Sequence, residues 1–462
     1  MNSGSRSLPF AVLVTGLTLV APPAAAQVCD GDVTLTTQAE VDAFACAEVT
    51  GTIEVGPSTD ITNLDGLSEL TAVSGDFIIG HEKLVNTALA DIGGLSSLVT
   101  VGGELRIAEA GALTTLDGLS ALTSVGDLVI ELNPVLESVA ALSSLTTVEG
   151  ELQFDENDVL ANVDGLSALT SVGTLFIEFS AFENLDGLSG LTSIGEDLIL
   201  DNVDALTGVD GLAALLSVGG DVEIVFNDAL ANLDGLAALE SVGGSFSISE
   251  NSVLADLDGL AGLATVDAGF SVRENAQLVD LDGLAGLTAV GGNFRVRENE
   301  QLANLDGLAA LTEISGDLDV TENGQLGDCC GIFGLLDGGG VGGTVTIDAN
   351  APGCNSVPEV VAACSAVATE AGTERPGYAL AVFPNPAAGA ATLRFGLPAP
   401  AAVRLAVYDV RGRLVGVVVE GEREAGPHVV EWDGAGLSGG VYVVRLEVEG
   451  ASVVDRRVAL TR

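Results

Sequence analysis

The stretch Asn232–Asn251 reads NLDGLAALESVGGSFSISEN, and its apolar positions change period partway along. Leu233, Leu236, Leu239 and Val242 fall three apart, which predicts a tight turn or a short helical piece. Asp234 stands where an N-cap would accept orphan backbone donors. Gly243 and Gly244 break the run. Phe246 and Ile248 then alternate with Ser245, Ser247 and Ser249, the pattern of a short strand with one buried and one wet face. The whole unit recurs. Its Leu-Asp-Gly-Leu phrase places Asp65, Asp117, Asp164, Asp186, Asp210, Asp234, Asp258, Asp282 and Asp306 in phase, the last five of them 24 residues apart. Degenerate copies at Ile92–Leu95 and Val139–Leu142 bring the number of units to eleven.

A fixed period between about 20 and 50 residues means a solenoid, in which no unit has a core of its own and stability comes from its neighbours. The expected fold class is therefore mainly β: about 11–12 stacked coils, a rod of ~55 Å at the ~4.8 Å spacing of neighbouring strands. Asn251 closes its unit, with equivalents at Asn133, Asn157, Asn227, Asn275, Asn299 and Asn323. Stacked, these asparagines can satisfy one another and nearby backbone groups as a ladder. Phe246, Phe270 and Phe294 are expected to stack inside.

The pattern lapses after Ser365. Residues 366–377 read as a linker, and 378–462 as a small β-sandwich with strands at Thr392–Leu397, Val403–Val410, Arg413–Val419, His428–Trp432, Val441–Val448 and Val453–Leu460. Arg411-Gly412 and Glu449-Gly450 fit hairpin turns. At the other end, residues 1–26 have an apolar run from Leu8 to about Val20 followed by Ala24-Ala25-Ala26, an export signal with a cleavage site. Once it is removed, no segment is apolar for long enough to span a bilayer. The solenoid is thus expected over 27–365.

The six cysteines lie at the two ends of the solenoid: Cys29 and Cys46 before the repeats, Cys329, Cys330, Cys354 and Cys364 after them. In an exported chain an even count reads as disulfides. Cys29–Cys46 is the expected N-terminal bridge; Cys329 and Cys330 pair with Cys354 and Cys364 in either order. Zinc is the rival reading, but no CxxC pair exists, and His81 and His428 are far from every cysteine in sequence.

Charge narrows the partners. The chain carries a net charge of -50, and the solenoid holds only five cations, Lys83, Arg106, Arg273, Arg295 and Arg297. Such a surface repels phosphate backbones, so no nucleic-acid partner is expected, and anionic membranes are disfavoured. After Ser365, ten arginines nearly balance eleven acids.

The pattern L-x-x-L-D-G-L-x-x-L-x-x-V-G-G-x-L-x-I-x-x-N resembles the receptor L-domain branch of the leucine-rich-repeat superfamily over about Val28–Cys364. That resemblance implies a right-handed solenoid with cysteine-containing end caps, which binds proteins or cell-wall material on its sheet faces and brings no catalytic motif. The last segment is similar to the type A C-terminal sorting domain read by the type IX secretion system. The matching pieces are Phe383-Pro384-Asn385-Pro386, Val407-Tyr408-Asp409-Val410-Arg411-Gly412-Arg413, Gly426 through Trp432-Asp433-Gly434, Gly439-Gly440-Val441-Tyr442, and the basic Arg456-Arg457 and Arg462. This implies type IX machinery as a partner, passage through the outer membrane to the cell surface or medium, and later removal of the module.

Enzyme chemistry finds little here. The two histidines lie in different domains, no Gly-x-Ser-x-Gly elbow follows a strand, and the carboxylates are repeat positions rather than a unique pair, so no catalytic residues and no cofactor are expected. A non-enzymatic binding or adhesion protein with an extracellular protein or glycan ligand is the leading expectation. A secreted carbohydrate-active protein that uses the same face as a groove is the alternative. Arg273 and Arg297, one repeat apart, together with Arg295, form either a charge-balancing ladder or a docking patch for an anionic ligand. The Asp210, Asp234, Asp258, Asp282 and Asp306 column is either a row of solvated caps or a site for bridging Ca²⁺, which favours oxygen ligands.

Overall fold

The computed structural model describes residues 27–80, 86–369, 379–383, 387, 389–397, 400–424, 426–434, 436–448 and 453–460. The expected export signal, Pro384, Asn385, Pro386, the turn at Glu449-Gly450 and most of the expected linker lie outside them. So does His81.

The repeats stack as coils. Each contributes a strand to a long parallel sheet, from Ile53–Val55 and Phe77–Ile79 at one end to Leu318–Thr321 and Val345–Asp348 at the other. Register is kept from coil to coil, so that Phe246 pairs with Phe270 and Phe270 with Phe294. Their rings are 5.4 Å and 5.3 Å apart and fully buried. The three-apart leucines of every coil point the same way, and one continuous apolar core runs from Leu35 to Cys364.

Two details depart from the sequence reading. Val242 does not extend the turn; with Ser241 it forms a second, two-residue strand, and such pairs make a separate seven-stranded parallel sheet. Two residues are too few for alternation to register. Nor is Asp234 the cap. It is the first residue of the 3₁₀ turn Asp234–Leu236, and its own N–H donates to Asn232 Oδ1 at 3.1 Å. Asn63, Asn162, Asn184, Asp256, Asp280 and Asn304 do the same for the Asp two residues on. The orphan donors are therefore met from before the tetrapeptide, and its Asp carboxylate is left on the surface.

The asparagine ladder forms as its composition requires. Asn251 Nδ2 donates to Ser249 O in its own coil and to Ile224 O in the previous one, at 3.1 and 2.9 Å, while Asn251 N–H donates to Asn275 Oδ1. Asn251 Oδ1 in turn accepts the Asn227 N–H at 3.2 Å, so every donor and acceptor of this fully buried amide finds a partner. Just before it, the chain turns a corner through a left-handed residue. The corner residues are Glu109, Leu132, Glu156, Phe179, Asn202, Phe226, Glu250, Glu274, Glu298, Glu322 and Ala349, with Ala110, Ser180 and Val203 in place of the asparagine after Glu109, Phe179 and Asn202.

Disulfides close both ends. Cys29 bonds Cys46 beside the helix Gln38–Asp42, whose Thr37 and Glu40 form a reciprocal capping box. Cys329 bonds Cys354 and Cys330 bonds Cys364, which settles the order left open above. The closing helix Val357–Thr369 runs beyond the boundary expected at residue 365.

The C-terminal module has its own apolar core. Its seven strands are β1 (Ala379–Phe383), β2 (Ala390–Leu397), β3 (Ala401–Asp409), β4 (Leu414–Arg423), β5 (Gly426–Asp433), β6 (Gly440–Val448) and β7 (Val453–Leu460). They form two antiparallel sheets, β1-β2-β5 and β4-β3-β6-β7. Strand β1 was not anticipated. Among the described residues no helix is long and apolar enough to cross a membrane.

Candidate ligand-binding face and the C-terminal module

Parallel register converts the outward positions of the long sheet into two straight rows. The first runs Arg106, Val129, Gln153, Phe176, Ile199, Glu223, Ser247, Ser271, Arg295, Asp319. The second runs Ala108, Glu131, Asp155, Glu178, Asp201, Val225, Ser249, Arg273, Arg297, Thr321. The face therefore has two halves: apolar and acidic up to Val225, hydroxyl-rich and basic after it.

In the basic half the three arginines come together as the spacing implied, with Arg273 opposite Arg297. Arg297 is already engaged. Its Nε donates to Thr321 Oγ1 at 2.9 Å and lies 3.6 Å from Asp319 Oδ2, and its Nη2 is 3.9 Å from Glu322. Arg273 and Arg295 are exposed and make no ion pair among the described residues.

In the acidic half, Arg106 pairs with both Glu104 and Glu131. The next three carboxylates of the row, Asp155, Glu178 and Asp201, have no cation within ion-pair distance among the described residues. Burial, with the charges of Glu156 and Glu131, pushes the Asp155 carboxyl up to about 6. Burial also raises Glu178, helped by Asp155 and Asp201, and raises Asp201 and Glu223. Asp155 Oδ1 is shielded from solvent and has no hydrogen-bond partner.

Beside this row stand Phe179 and Phe226, which are 49% and 42% exposed and occupy left-handed corners at φ 43° and 56°. Bulky residues rarely adopt that conformation. With Phe176 and Ile199 of the first row they make a strip whose apolar margins have the carboxylates of the second row between them. Sequence reasoning missed this strip; the available signal was that Phe176 and Ile199 occupy a phase that is polar in most other coils.

The Asp column is solvent-exposed at Asp210 and Asp234 and half-buried at Asp258, Asp282 and Asp306. Among the described residues no three metal-ligating side chains converge on one point.

In the C-terminal module the singled-out residues have structural work. Asp409 Oδ1 accepts the N–H groups of Arg411 and Arg413 at 3.0 and 2.9 Å, and its Oδ2 takes the Arg413 guanidinium, which holds the β3–β4 turn. These bonds, that of the Arg413 N–H first, keep the Asp409 carboxyl below its ordinary range. Gly412 has φ 71°, which the turn needs and a side chain would resist. Tyr408 Oη accepts from Arg404 at 2.9 Å. Trp432 and Tyr442 are buried edge to face, 6.1 Å apart, and Tyr442 Oη donates to Ser438 O. Gly440 opens β6.

No curated protein matches this chain. Residues 381–459 match the family described as the secretion system C-terminal sorting domain, the type IX module, and this marks the protein for export to the cell surface or the medium.

Proposed function

We propose that the chain is a non-enzymatic binding protein of the cell exterior, a leucine-rich-repeat solenoid of the receptor L-domain type delivered by the type IX machinery. Its ligand lies along the apolar and acidic half of the outward sheet face. The observation that carries this reading is the pair of exposed aromatic rings at Phe179 and Phe226, at a corner that six other coils fill with Glu. The chemistry of the strip fits a glycan chain, whose C–H faces stack on aromatic rings and whose hydroxyls donate to Asp155, Glu178 and Asp201. A glycan array probed with the exported chain tests it. Binding that is lost in Glu178→Gln/Asp201→Asn supports the reading. An array on which no glycan is bound, or on which the variant binds equally, defeats it.

A second reading, a carbohydrate-active enzyme on the same face, draws on Asp155. A carboxyl held near pH 6 beside further carboxylates has the character of a general acid. Release of reducing ends from a bound glycan, abolished by Asp155→Asn, would favour the enzyme over the binding protein.

A further inference from the structure

Strand β7 of the C-terminal module lies against the solenoid. Arg457 Nη1 is 2.5 Å from Asp258 Oδ2, and Arg456 Nε is 3.6 Å from Asp306 Oδ2. Adjacent residues of a strand project to opposite sides. The two guanidinium groups therefore diverge, and they land on coils two repeats apart, with the coil of Asp282 between them.

Three further observations set this place apart. The Asp of the repeated tetrapeptide is exposed at Asp65, Asp117, Asp164, Asp186, Asp210 and Asp234, yet half-buried at Asp258, Asp282 and Asp306. Since the local backbone is the same at Asp210 and Asp234 as at Asp258, Asp282 and Asp306, what differs is the domain lying over the last three. Carboxylates are also doubled here, because the capping residue two positions earlier is Asp256 or Asp280 where other coils mostly carry Asn or Thr. Finally, burial pushes Asp282 up to about 6, with the Asp280 and Asp306 charges adding to it, and the arginine opposes them. A solenoid poor in cations thus doubles its carboxylates where the arginine-rich module supplies two cations.

We propose that this doubled carboxylate patch is the docking surface for the chain's own C-terminal module, with Arg456 and Arg457 straddling the Asp282 coil as an ion-pair latch. The partner is fixed by charge complementarity and by the seated side chains themselves. While latched, sorting module and cargo travel as one body and the patch is covered. Removal of the module uncovers an anionic surface. Partly exposed ion pairs are individually weak and screened by salt, so the latch opens as ionic strength rises.

Small-angle scattering of the full chain tests this. At about 0.01 M salt, where the Debye length is about 30 Å, the wild type is compact; at about 1 M, where it is about 3 Å, the radius of gyration rises. Arg456→Glu/Arg457→Glu is extended at both, and adding Asp258→Arg/Asp306→Arg restores the compact form at low salt. Circular dichroism checks that β7 still folds. If it does not, Asp258→Asn/Asp282→Asn/Asp306→Asn, which leaves the module's sequence intact, is extended at low salt in its place. A wild type whose radius is the same at both ionic strengths, or a solenoid-side variant as compact as wild type at low salt, overturns the latch.

Discussion

The carbonyl oxygen of Leu257 occupies the space a Cβ on Gly283 would need: the two would be 1.6 Å apart. This is why the third residue of the repeated tetrapeptide stays glycine in every one of the eleven copies but one, the exception being Ala141. The coil behind it passes so close that only a bare Cα fits. Neither side can yield, because Leu257 is itself fully buried in the stack. Gly283→Ala is therefore expected to cost about 3 kcal/mol in urea denaturation, the upper end for overpacking. Gly324 has nothing within 4 Å of its would-be Cβ. Gly324→Ala is expected to be neutral or to gain about 0.5 kcal/mol by restricting the unfolded chain. Equal effects from the two would show that the close approach is not what constrains the repeat.

The ladder makes a second prediction. Truncating Asn275 to Ala orphans the N–H of Asn251 and removes a side-chain bond to the carbonyl of Ile248, both inside the stack, while the carbonyl of Arg273 keeps its bond from the Glu250 N–H. At about 1–3 kcal/mol for each buried group left unsatisfied, the loss is about 3 kcal/mol. Stability in a solenoid is carried between neighbours, so the damage spreads to adjacent coils first. Hydrogen exchange should show Asn251 and Asn299 losing protection ahead of the end caps. Uniform loss along the whole chain would contradict a local role.

Much of this architecture was legible because one repeated position leaves a repeated mark. Leu233, Leu236 and Leu239 recur in phase, and Asn251 and Phe246 recur because identical neighbours stack on them. The left-handed corner left no such mark. Glu250, Phe226, Leu132 and Asn202 all hold it, since the buried asparagine or its neighbours beyond the corner fix the turn whatever the corner residue is. The cap was misplaced from Asn232 to Asp234 for a related reason: the more conspicuous repeated Asp drew the assignment, while the bonded Asx alternates between Asn and Asp. The seating of Arg457 on Asp258 joins residues 199 apart in the chain, beyond the reach of any local pattern.

Stability should depend on pH in a direction set by Asp155. Its folded-state carboxyl is raised to about 6 from 3.8, so the folded chain binds that proton more tightly than the unfolded chain. Between about pH 4 and about pH 6 the native state holds the extra proton, and its stability falls as pH rises through that window. Glu40, lowered chiefly by the Thr36 N–H, and Asp409 act in the opposite sense, as their contribution is lost on acidification. Asp155→Asn isolates the first effect. The variant should melt above wild type at about pH 7, and the difference should vanish near about pH 4. A gap of the same size at both values would mean that ionisation of Asp155 is not its source.

Phe179 and Phe226 separate binding from stability. Each ring is about half exposed and sits at a positive φ, so its side chain contributes little burial while its backbone is strained. Glycine adopts that conformation without penalty, although it adds entropy to the unfolded chain. Phe179→Gly/Phe226→Gly should therefore melt at or slightly above the wild-type temperature. If the strip is where ligand lies, the same variant should lose stacking worth about 0.5–1.5 kcal/mol per ring, roughly a tenfold fall in affinity for each at the upper end. Calorimetric melting and titration of one sample against the bound glycan read both quantities. Glycines that lowered the melting temperature would assign the rings a packing role. Unchanged affinity at unchanged stability would leave the strip without a ligand and move the search to the basic half of the face, at Arg273 and Arg295.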